Sequence, residues 1–251
     1  MRKMVPGLVS VTFRKLDVRS VLDLCVRAGL GAIEWGGDMH VPPDDIPAAR
    51  KTAEMTRDAG IRTVSYGSYY RLGQPEDLFM RNLEVAEALD SGVIRIWAGS
   101  RSPGSMTERE RDALVGQLRV LREEAEKAGI TLAPEFHMNT LTGSLPSLKR
   151  LLLEIPELRL YWQPRWDWPE EDRLEALDLI GDRLAHVHVF SWRIEDGKEI
   201  RLPLESGEGM WKKALAAVPE DTCALLEFVR DDSPDCFLQD AAVLRNWLET
   251  T

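Results

Sequence analysis

The 251-residue sequence predicts a (β/α)8 TIM barrel. Three observations carry this prediction. Short apolar runs rich in β-branched and aromatic residues recur eight times. Segments with helical spacing and charged faces lie between them, so most runs start about 25–40 residues apart, the length of a strand plus a returning helix. The first run leads into "TFRKLD", with no Gly-x-Gly-x-x-Gly turn, which weighs against an open dinucleotide-binding sheet.

The eight runs are "GLVSVTF" (7–13), "GAIEW" (31–35), "IRTVSY" (61–66), "GVIRIWA" (92–98), "ITLAPEF" (130–136), "LRLYWQ" (158–163), "LAHVHVF" (184–190) and "CALLEF" (223–228). Between the first two, "DVRSVLDLCVRAG" (17–29) places Val18, Val21, Leu22, Cys25 and Val26 at helical spacing and stops at Gly29. In "TERERDALVGQL", Thr107 and Glu110 form a capping box that opens a long helix closing at Gly129. The segments 75–89 and 169–180 each begin with proline followed by acids, which suits a first helical turn. No linker or shift in composition interrupts the series, so residues 1–251 are expected to form one barrel domain.

Composition narrows the function classes. The net charge of −10, from 42 acids against 32 bases, argues against general nucleic-acid binding. Cys25, Cys223 and Cys236 form neither a metal-like cluster nor a disulfide framework. The opening "MRKMVPGLVS" has too short an apolar stretch for a signal peptide or membrane span, so a cytoplasmic location without membrane partners is expected. Homo-oligomerisation is left open.

The strand ends of a barrel line its active site, and chemistry-bearing residues gather there. Glu34, Glu135 and Glu227 end the second, fifth and eighth runs, each behind apolar residues where a charge needs a partner. His40, His137, His186 and His188 also fall at or just beyond strand ends. Glu135 and Glu227 with His188 make a reasonable divalent-metal site. The end of the sixth run offers Gln163 as a fourth ligand or as a hydrogen-bond donor to substrate. His186 is expected in a layer below His188, and His137 shares a strand face with Glu135. Either histidine is a substrate contact or a packing residue. Trp35, Trp97, Trp162, Trp166, Trp168 and Trp192, with Tyr66, Tyr69 and Tyr70, suit either an aromatic wall for a polyol or a closed barrel top. Arg193, in the loop after the seventh run, is a candidate for a substrate oxygen.

These residues give the chain a resemblance to the xylose-isomerase-like TIM barrels, a superfamily of sugar isomerases, hydroxyketose 3-epimerases, inosose dehydratases and endonuclease IV. Its marks are "GAIEWGG", "PEFHMNT", "LAHVHVFSWR" and "ALLEFVRDD", spread over essentially the whole chain. The resemblance implies a metal held by Glu, Asp, His and Glu on strands five to eight. Glu135, His188 and Glu227 match three of these, and Gln163 stands where the Asp is expected. Arg193 corresponds to the family's substrate-contacting arginine. Four histidines and an acidic surface fit endonuclease IV poorly.

The leading expectation is a Mn²⁺-, Mg²⁺-, Co²⁺- or Zn²⁺-dependent isomerase or epimerase of a small polyhydroxy ketone or aldehyde in carbohydrate metabolism, working through an enediolate. Glu135 and Glu227 are its expected base and acid, and Glu34, His40, Tyr66, Trp97, His137, His186 and Arg193 its expected substrate contacts. The alternatives are an inosose-type polyol dehydratase, which shares the first proton transfer, and a non-catalytic sugar-binding barrel, with Gln163 as the trace of a lost metal.

Overall fold

The computed structural model describes residues 4–165 and 167–250. Eight parallel strands close on themselves: β1 (Val5–Val9), β2 (Ala32–Gly36), β3 (Arg62–Arg71), β4 (Val93–Trp97), β5 (Thr131–Glu135), β6 (Leu160–Trp162), β7 (Leu184–Val189) and β10 (Cys223–Leu226). Each pairs with its neighbours in chain order, and β10 pairs with β1 to complete the ring. Outside it run α1 (Val18–Ala28), α2 (Ile46–Asp58), α3 (Glu76–Ala88), α4 (Glu108–Lys127), α5 (Leu145–Glu154), α6 (Glu170–Ile180), α7 (Glu208–Ala217) and α8 (Pro234–Thr250).

The helices start and stop where their sequences dictate. Asp17 caps α1 by accepting from the Ser20 N–H, and Gly29 ends it at a φ of 66°, a left-handed turn that glycine adopts without strain. Thr107 and Glu110 close a reciprocal capping box on α4. Alternate strand residues such as Leu8, Ile33, Trp35, Tyr66, Ile94, Leu132, Trp162 and Val187 face outward and pack with the helices into one large core. The opposite faces point into the barrel, where Val9, Ala133, Tyr161, Cys223 and Leu225 form a smaller apolar plug. Everything polar that the strands place inward must then be satisfied above or beside that plug.

Two expectations about elements need correction. The first run does not stay extended to residue 13: after Val9 the chain turns into a short 3₁₀ segment at Ser10–Phe13. Side-chain acceptors hold that turn, with Ser10 Oγ taking the Gly36 N–H at 2.8 Å and Thr12 Oγ the Phe228 N–H at 3.1 Å. The segment after β7, expected as a loop, is an antiparallel hairpin of β8 (Trp192–Glu195) and β9 (Lys198–Arg201). Its two-residue turn is Asp196–Gly197, both at positive φ, as such hairpins require.

Candidate metal centre and active-site mouth

The inward stripes of β2, β4, β5 and β7 and the residue just past β10 bring Glu34, Arg95, Glu135, His188 and Glu227 together. All five are buried. One oxygen or nitrogen from each of Glu135, His188 and Glu227 lies within 4.8 Å of the others, the spread a single cation can bridge. His188 Nδ1 sits 3.3 Å from Glu135 Oε1 and 3.4 Å from Glu227 Oε2, yet forms no hydrogen bond. Its other nitrogen, Nε2, donates over 3.5 Å to Glu34 Oε2. A histidine whose outer nitrogen is turned by a carboxylate presents the inner lone pair to a metal. A buried, unbonded nitrogen between two carboxylates fits a divalent cation well, and the cluster supports such a cofactor without naming the ion.

Arg95 is the residue that sequence reasoning missed. Its guanidinium donates from Nε to Glu34 Oε1 at 2.8 Å and from Nη1 to Glu135 Oε2 at 2.6 Å, with the side chain 3% exposed. Trp97 Nε1 donates to the same Glu135 oxygen. The signal was present in "GVIRIWA": an arginine alternating with apolar residues and sharing a face with Trp97 must point into the barrel.

Electrostatics separates the two metal-facing carboxylates. Burial alone would raise the Glu135 pKa, but the Arg95 charge beside it holds it down at about 2. Burial pushes Glu227 up to about 7; the nearby His188 opposes this and Glu135 adds to it. Burial works against a charged His188, but Glu227 and Glu34 outweigh it and lift the imidazole to about 10 when no cation is present. Glu34 lies well below the ordinary carboxylate range, its burial overcome by Arg95 and His188.

Above this cluster opens a cavity of about 380 Å³. Trp97, His137 and Gln163 line it, together with Arg14, Tyr69, Arg165 and Trp192. His137 Nδ1–H donates to the Met138 carbonyl at 2.9 Å. Two non-glycine residues at positive φ, Tyr69 (59°) and Phe228 (54°), also line this mouth. Such strain in aromatic residues gathers where function demands a particular side-chain direction.

The other expected substrate contacts lie elsewhere. Tyr66 faces outward, donating its hydroxyl to the Val41 carbonyl at 2.9 Å, because it occupies the helix-facing register of β3 beside Trp35. His40 donates to the Leu16 carbonyl at 3.0 Å and packs against Trp35, outside the cavity. Glu34 is fully buried beneath the mouth, where it holds Arg95 and His188. Arg193 points from the exposed hairpin to Glu195 at 2.8 Å, away from the cavity whose wall its neighbour Trp192 forms. Trp35 and Trp162 are core residues rather than walls, Trp168 packs on Phe136, and Trp166 lies outside the described residues.

His186 sits one layer down, as its spacing from His188 requires, but serves structure. Its Nδ1 accepts the Cys223 N–H at 3.1 Å, while Nε2 donates to the Val64 carbonyl over 3.4 Å. A second ring proton would face the Cys223 N–H, and burial holds the His186 pKa down at about 4. Because that value lies below the unfolded one of about 6.5, the neutral ring stabilises the fold above pH 6.5, and this contribution fades as pH falls toward 4. Across that window the loss is about 3 kcal/mol. Urea midpoints of wild type and His186→Asn between pH 7 and 4 should therefore converge at the acid end.

Comparison with known proteins fits this geometry. The family described as xylose isomerase-like TIM barrel matches residues 22–247. The chain belongs to that family. Among its relatives is the 3-dehydroshikimate dehydratase of Bacillus anthracis, 21% identical over 72% of this chain and 70% of that protein. The inosose dehydratase of Geobacillus thermodenitrificans is 28% identical over 56% of this chain, a match that spans 46% of that protein. The crystal structure of the probable 3-DHS dehydratase AsbF from Bacillus anthracis superposes with a TM-score of 0.80 at 18% identity, covering 97% of this chain and 99% of that one. A buried metal triad at the strand ends of this xylose isomerase-like barrel marks it as an enzyme and sets aside the non-catalytic reading. Among the described residues, no helix is long and apolar enough to cross a membrane.

Proposed function

We propose that this xylose isomerase-like barrel is a divalent-metal-dependent dehydratase of a small cyclic polyhydroxy ketone. This revises the leading expectation of an isomerase or epimerase. The two curated relatives support loss of water over rearrangement, because both are dehydratases. The observation that carries the reading is the asymmetry of the carboxylates around His188. Glu135 has one oxygen committed to Arg95 and Trp97, whereas the Glu227 side chain takes part in no hydrogen bond among the described residues.

Glu135, His188 and Glu227 would hold the cation, whose chemistry is Lewis-acid polarisation of the substrate carbonyl. Polarisation acidifies the neighbouring C–H. The open oxygen of Glu227 takes that proton, and the electron pair moves onto the carbonyl oxygen. When the pair returns, the C–O bond one carbon further breaks, and Glu227 gives its proton to the departing hydroxide, which leaves as water. Glu135, fixed by Arg95, is a ligand and a poor base. His137, Trp97 and Tyr69 line the mouth in which the ring hydroxyls would be held.

The fourth position is proposed for Gln163, which shares the cavity wall with Glu135 and Glu227. Its amide oxygen carries no charge, so Gln163→Asp should tighten the divalent ion about tenfold. Titration calorimetry of chelator-stripped protein with Mn²⁺ checks this. About one site per chain, lost in His188→Ala, is the expected result. Undiminished binding in His188→Ala would remove the proposed centre.

A further inference from the structure

The hairpin of β8 and β9 borders the mouth, and its register decides which of its side chains face the cavity. Trp192 pairs with Arg201 and Ile194 with Glu199, so these four share one face of the ribbon. Arg193, Glu195, Lys198 and Ile200 share the other. Trp192 and Glu199 both line the mouth cavity, together with Glu135 and Glu227 from the metal centre. Arg201, on the same face, pairs with Asp232 and lies over the Phe228 ring at 4.6 Å. The first face therefore looks toward the barrel mouth. Arg193, Glu195 and Lys198 are exposed on the second.

We infer that Glu199 is a specificity-determining residue of this site. Its carboxylate accepts hydrogen bonds from ring hydroxyls and disfavours a ring that carries a carboxylate of its own. The inference rests on the proposed function for the cyclic polyhydroxy ketone, and it narrows that class to neutral rings.

The charges around the cavity single Glu199 out. Arg14 pairs with Asp38, Arg165 with Asp167, and Arg95 with Glu34 and Glu135. Glu227 faces His188 at 3.4 Å. Arg71 is stacked on the Trp97 ring at 3.7 Å and is not among the residues lining the cavity. Glu199 has no ion pair or hydrogen bond among the described residues, although three arginines line the same cavity. Its acceptor sites are open to a ligand. An ionised carboxylate only accepts, and two neighbouring ring hydroxyls can donate to its two oxygens in short, charge-assisted bonds. A ligand carboxylate brings no such proton and meets a like charge. The arginines of the wall, each held by an acid, do little to offset that repulsion.

The test uses rings that are not ketones, so it reads recognition apart from turnover. The full chain, loaded with Mn²⁺, is titrated calorimetrically with myo-inositol, a neutral ring polyol, and with shikimate, a hydroxylated ring bearing a carboxylate. Wild type should bind myo-inositol at least about tenfold more tightly than shikimate. Glu199→Gln should weaken myo-inositol about threefold or more and bring the two dissociation constants closer together. Glu195→Gln removes the same charge from the opposite face of the same hairpin and should leave both constants unchanged. Shikimate bound as tightly as myo-inositol by wild type would overturn the inference, as would no saturable binding of either ring. A ratio that Glu199→Gln leaves unchanged, or that Glu195→Gln moves equally, would overturn it too. The expected ratios, found in a protein that releases no water from any ring ketone, would uphold the role of Glu199 and remove the dehydratase reading alone.

Discussion

Glu227→Gln should lower turnover by about 10³-fold or more even when the divalent ion is saturating, because the amide can neither take the substrate proton nor return it to the departing hydroxyl. Glu135→Gln should behave differently. Its oxygen beside Arg95 and Trp97 already has fixed partners, so the proposed loss is of a charged ligand rather than of the proton carrier. The ion is then bound more weakly, and raising its concentration should recover much of the rate. Steady-state rates measured across a metal titration separate the two variants. Equal and metal-independent losses in both would return the pair to symmetric roles, and full activity in Glu227→Gln would end its assignment.

Arg95→Met is expected to be the most damaging substitution to the fold. Arg95 is the shared partner of two buried carboxylates, at 2.8 Å from Glu34 and 2.6 Å from Glu135. Removing it leaves both acids in a dry interior with His188 beside them. Breaking one side of a buried ion pair costs about 3–5 kcal/mol, a large part of the total stability of a domain. Chemical denaturation at pH 7 should show that loss, and a saturating divalent ion should restore part of it by neutralising Glu135. A change below about 1 kcal/mol would mean that water or another group already serves those carboxylates.

The barrel was legible because its evidence repeats. Each strand carries the same alternation, each helix its own start and stop signals, and Gly29 or the Thr107–Glu110 box can be read locally. The metal triad was legible for a related reason: an acid or imidazole at the end of an apolar strand has few places to go. Inward or outward facing was harder to read at the other strand ends. Tyr66 sits one residue out of phase with the inward stripe and so reaches the helix layer, not the mouth. Arg193 was read as a loop residue near the barrel, but the Asp196–Gly197 turn folds its segment into a hairpin that carries it outward. The dipeptide was a readable hairpin signal. Arg95 was passed over because a buried cation draws no notice until its two acids are known to lie beside it.

The most direct measurement of the central claim is a product analysis in D2O. The protein, loaded with Mn²⁺, is incubated with 3-dehydroshikimate or with a keto-inositol, and the reaction is followed by ultraviolet absorbance and by NMR. The account predicts loss of water from one of these ketones, seen as a growing conjugated chromophore, abolished by EDTA and by Glu227→Gln. Exchange of the α-proton for deuterium with recovery of an epimer or isomer, and no chromophore, would contradict it and restore the isomerase or epimerase reading.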